Sequence, residues 1–88
     1  MKTQEKLDAL KLEAIEEIKD ILIKKNLNEV SFYINLIIDS FTIDNLQIVG
    51  SKEKNIYLNL VGYNTVNIKD SMFQVQDLIN IIHYLETI

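Results

Sequence analysis

His83 is the only histidine in the chain, so any proton-transfer chemistry near neutral pH would centre on it. A general base needs a nucleophile to activate or a carboxylate to orient it, and Glu86, three residues on, is the only local candidate. The chain has no Cys, which removes thiol nucleophiles, thiolate metal sites and disulfides together. Ser31, Ser40 and Ser71 lie in no Gly-flanked nucleophile elbow. The two glycines, Gly50 and Gly62, are too far apart to form a phosphate-cradling loop. Asp39, Asp44 and Asn45 lack the ligand spacing and the glycine of a calcium loop, and they read as turn formers. No catalytic residue, cofactor site or metal ligand is expected, and the chain reads as non-enzymatic.

Charge narrows the partners. The net charge is −4, and residues 1–25 carry six Lys and six acids, which cancel. Residues 26–88 carry three Lys and seven acids, so the surplus lies there. Every one of the nine basic residues is Lys. Arginine is the preferred side chain for bidentate phosphate and guanine contacts, so its absence disfavours nucleic-acid and anionic-membrane binding.

Residues 4–25 read as one amphipathic helix. Leu7, Leu10, Ala14, Ile15, Ile18, Ile21 and Leu22 form its apolar stripe, while Leu12 and Ile23 fall on the charged side. Asn26 is the expected left-handed stop. Residues 29–39 fit both a strand and a helix, and their β-branched and aromatic residues decide for a strand. Phe41 and Ile43 share a parity that Leu46 and Ile48 do not, so Asp44-Asn45 marks a bulge or a turn. A second strand is expected over 45–50, reaching back as far as 41. Residues 50–55 form a polar hairpin loop, Ile56 to Val61 a third strand, and Val66 to Ile68 a short fourth. Phe73, Gln74 and Asp77 have the spacing of a hydrophobic staple and a capping box. They start a last helix with a stripe of Val75, Leu78, Ile79, Ile82 and Leu85.

The expected fold is therefore a single small α+β domain over residues 1–88. It has two layers: an N-terminal helix, a three- to four-stranded antiparallel sheet and a C-terminal helix. That order resembles double-stranded-RNA-binding domains in topology only. Such domains need a basic start to the last helix, and Gln74-Val75-Gln76-Asp77 is not basic. The resemblance implies no function here.

The second parity of the strands is the most informative feature. If Phe32, Ile34 and Leu36 face the helices with Ile56, Leu58 and Leu60, the opposite face holds Tyr33, Asn35, Ile37, Tyr57, Asn59 and Val61. Val49 joins them. These residues carry no charge and include two Tyr, a type enriched at protein interfaces. Two arrangements are compatible with the pattern: a helix on each face, or both helices on one face with the other open to a partner. The open face is the reading adopted.

A chain of 88 residues buries only about 60% of its unfolded surface, so a second copy or a partner would stabilise it. Fifteen Ile, nine Asn and nine Lys, with no Arg, Pro or Trp, match the codon usage of an AT-rich genome, such as that of a low-GC bacterium, phage or plasmid. Met1 to Ala9 is too charged for a signal-peptide core, and no apolar run approaches the roughly 20 residues of a membrane span. The expectation is a cytoplasmic protein-binding or assembly module, a homodimer or a unit docking on another protein, of phage or mobile-element type. The alternative is an acidic nucleic-acid-associated regulator or DNA-mimic inhibitor.

Overall fold

A computed structural model describes residues 2–33, 40–43, 46–50, 55–60 and 73–88. The elements run α1 (Lys2–Lys24), β1 (Glu29–Tyr33), β2 (Ser40–Ile43), β3 (Leu46–Gly50), β4 (Asn55–Leu60) and α2 (Val75–Thr87). This is the two-layer α+β architecture that the periodicities imply.

α1 ends where its sequence predicts. Asn26 takes φ 59°, a left-handed conformation that Asn tolerates better than most residues. The Leu27 N–H donates to the Leu22 carbonyl at 2.7 Å and the Asn26 N–H to the Ile23 carbonyl at 3.0 Å. These are the two bonds of a Schellman motif, and Leu27 packs against the core beside the buried Leu22. At the other end of the chain, Gln74 caps α2, and its backbone N–H donates to Asp77 Oδ2 at 2.9 Å. Phe73, just before the cap, is fully buried, as is Leu78.

The sheet is entirely antiparallel, with strand order β1-β4-β3-β2. The phase switch at Asp44-Asn45 is a strand reversal: Ile43 pairs with Leu46, leaving two residues between paired neighbours. The expected single strand reaching back from 50 to 41 is therefore two strands, β2 and β3. The fourth strand of the sheet comes from this hairpin. The strand expected over 66–68, the far end of the strand expected over 29–39 and Val61 lie outside the described residues. β1 pairs with β4, the last strand among the described residues, in the order of a Greek key whose long connection comes first.

One hydrophobic core lies between the sheet and both helices. Phe32, Leu46, Ile48, Ile56 and Leu58 supply the sheet side, with Val30 and Leu60 partly buried beside them. Ala14, Ile15, Ile18 and Leu22 come from α1, and Leu78, Ile81, Ile82 and Leu85 from α2. Tyr84 stacks on Phe32 with ring centroids 4.2 Å apart, tying α2 to the outer strand β1. Both helices thus belong to the core on one face of the sheet. They run in the same direction: the first turns of both line one cleft, and Lys25 Nζ reaches the Glu86 carbonyl at 3.4 Å at the other end. The last turn of α2 has no basic residue of its own, so Lys25 supplies the cation that its carbonyl end favours.

Two stripes differ from expectation. In α2, Ile81 is fully buried together with Leu78 and Leu85, whereas Ile79 and Val75 are only half-buried. In α1 the first turns bury Asp8 and Lys11, while Leu7 and Leu10 are exposed. Lys11 stands four residues before Ile15 and seven before Ile18, which places it on the centre line of the buried seam. Leu10 is turned well away from that line.

Candidate functional site

The odd-numbered positions of β1, β3 and β4 form the second face of the sheet. Its cross-strand rows follow from the register. Glu29, Asn59 and Gln47 form one row, Ser31, Tyr57 and Val49 the next, and Tyr33 lies opposite Asn55. Tyr33 and Tyr57 are therefore diagonal neighbours, a separation that aromatic side chains span. Tyr33 is 67% exposed, Glu29 and Ser31 are exposed, and Gln47, Val49, Tyr57 and Asn59 are half-buried. No helix among the described residues covers this face.

Three of the six residues expected here from sequence, Tyr33, Tyr57 and Asn59, are brought together on this face, with Val49 beside them. Asn35, Ile37 and Val61 lie outside the described residues. The expectation of an uncharged face is corrected by Glu29, which shares the parity of Ser31 and Tyr33 and belongs to the same surface. The alternation that places Tyr33 on this face also places Glu29 there, two positions before Ser31 at the start of the strand. Ser31 and Gln47 join on the same grounds.

The carboxylate is coupled to the aromatic patch. Tyr57 Oη donates a hydrogen bond to Glu29 Oε2 across the diagonal. Accepting this bond stabilises the neutral phenol, and the nearby negative charge opposes its ionisation, so Tyr57 titrates above the ordinary value of 10.0. The result is a surface of two aromatic rings, amides and one oriented carboxylate. It can bury aromatic area and accept a small number of hydrogen bonds.

The residues considered for catalysis are arranged differently. His83 and Glu86 are both exposed on α2, and no hydrogen bond among the described residues joins them. Asp39, Asp44 and Asn45 fall outside the described residues, and among the described ones no three acidic or His side chains converge. Among them, too, no helix is long and apolar enough to cross a membrane. Compared with protein-family models, curated proteins and solved structures, the chain matches none.

Proposed function

We propose that this protein is a non-catalytic binding module that acts through the second face of its sheet, by pairing with another copy or docking on a different protein. The observation that carries this reading is the one-sided layering. Both helices share the core on the even-numbered face, leaving Tyr33, Tyr57, Val49 and Asn59 half-buried or exposed opposite. Tyrosines in such a position combine a large apolar area with a hydroxyl that keeps its hydrogen bond, which suits them to the centre of an interface. Glu29, held by Tyr57, would set the register of the partner through charge. The AT-rich residue usage supports a phage or mobile-element accessory protein working in a bacterial cytoplasm.

Tyr57→Lys tests the reading. The new ammonium lies beside Glu29 on a partly exposed face, so folding stability should change by less than about 1 kcal/mol. A partner covering the face would have to bury that charge, so association should be lost. Light scattering on wild type and variant at roughly 100 µM, with capture from source-cell lysate, reads the outcome. Equal association by the folded variant would place the contact surface elsewhere.

A further inference from the structure

Lys11 is 9% exposed, although a lysine head is ordinarily solvated. No ion pair or hydrogen bond reaches its ammonium among the described residues. Asp8, one turn earlier and also buried, accepts from Gln4 Nε2 at 3.0 Å and makes no ion pair with Lys11. Lys11 instead lines a cleft of about 540 Å³ between the first turns of α1 and the start of α2. Gln4, Leu7 and Lys11 form one wall, and residues 73–76 form the other.

That second wall is a helix N-terminus. The first-turn N–H groups of Val75 and Gln76 have no acceptor within the helix, and the helix end carries partial positive charge. Asp77, the nearest carboxylate on α2, already accepts the Gln74 N–H. Lys11, which is buried and has no ion pair among the described residues, and the first-turn N–H groups of α2 therefore line the same cleft, beside apolar surface of Leu7 and Val75. Its volume lies in the small-molecule range.

We propose that this cleft binds a small organic carboxylate, with the anionic head on Lys11 and the α2 N-terminus and an apolar body against Leu7 and Val75. The site belongs to the helical layer and does not depend on the sheet face. The mixed lining favours a carboxylate with a hydrocarbon tail over a fully hydrated anion such as inorganic phosphate, whose desolvation the apolar walls would not repay.

Amide-resolved NMR titration of the full chain with hexanoate, hexanamide and inorganic phosphate tests this. Hexanoate should shift the Lys11, Val75 and Gln76 amides saturably, with a Kd of about 1 mM, the scale for a ligand this small. Hexanamide and phosphate should each bind at least about tenfold more weakly, for want of the charge-assisted bond or of the tail. Lys11→Met should weaken hexanoate at least about tenfold and leave hexanamide unchanged. Val75→Pro keeps the fold testable by a second route. Proline is favoured at the first helical position, and Gln74 already has the extended backbone (φ −99°, ψ 166°) that a residue before proline needs. It deletes one donor, and hexanoate affinity should fall several-fold with α2 intact. Equal binding of hexanoate and hexanamide, undiminished binding to folded Lys11→Met, or no saturable shift at these amides would overturn the carboxylate site. Phosphate binding as tightly as hexanoate would overturn the assignment of an apolar ligand body.

Discussion

Leu58 and Tyr57 are adjacent on β4, yet their side chains leave opposite faces of the sheet. Leu58 is fully buried between Val30 of β1 and Ile48 of β3, under the helices. Leu58→Ala removes three carbons, about 2.4 kcal/mol at about 0.8 kcal/mol per buried methylene. The cavity left behind brings the loss to about 3–4 kcal/mol. A domain of 88 residues has a total stability of about 4–13 kcal/mol, so this variant forfeits a large share of it. Tyr57→Ala removes a larger side chain but from the face opposite the helices. It loses the bond to Glu29 and cross-strand contact with Ser31 and Val49, each worth about 0.2–1 kcal/mol, for a total near 1 kcal/mol. Urea unfolding followed by far-UV circular dichroism measures both. The series should be run at several protein concentrations, because association adds apparent stability that depends on concentration. Equal m-values would show that the two variants unfold from equally compact states. In thermal melts the Leu58 change should lower Tm by about 12–32 °C. A loss below about 1.5 kcal/mol for Leu58→Ala would refute the one-sided layering. So would a Tyr57→Ala loss matching it at the lowest protein concentration.

Asn26→Gly should be neutral or slightly stabilising and Asn26→Ala should cost about 1 kcal/mol, because φ 59° is free for glycine and strained for a β-carbon; chemical denaturation compares the two. Spectrophotometric titration should find a phenol ionisation above the ordinary value that disappears in Tyr57→Phe, and Glu29→Ala should return it toward 10.0. The sign follows from linkage. With the folded-state pKa raised, the contribution of this bond is complete below about pH 10 and is lost as pH climbs through the raised value.

Several elements were legible residue by residue because their causes are local. Asn26 ends α1 by its own backbone preference, and Gln74 with Asp77 starts α2 by a bond between neighbours in sequence. The alternation in β1 and β4 follows from the pleat, which sends successive side chains to opposite faces whatever the strand pairs with. The parity switch at Asp44-Asn45 marked a break, though not its kind; only the pairing of Ile43 with Leu46 made it a reversal and gave the sheet its fourth strand.

Other features depended on which element met which. Periodicity divides a strand into two faces, but it does not say that β1 crosses to pair with β4 or that both helices gather over one face. Those outcomes follow from burying every apolar stripe in one shared core. Glu29 became part of the candidate site because pairing with Asn59 set it diagonally across from Tyr57. In the first turns of α1, Leu7 and Leu10 looked like core and Lys11 like surface. Tertiary packing reversed this, because the seam is set by Ile15, Ile18 and Leu22 and runs back along the helix through Lys11. α1 has 23 residues and α2 only 13, so the start of α2 leaves a cleft beside the first turns of α1 rather than a filled core. Hydrophobicity ranked those side chains correctly, but where the partner helix begins decided which of them would be covered.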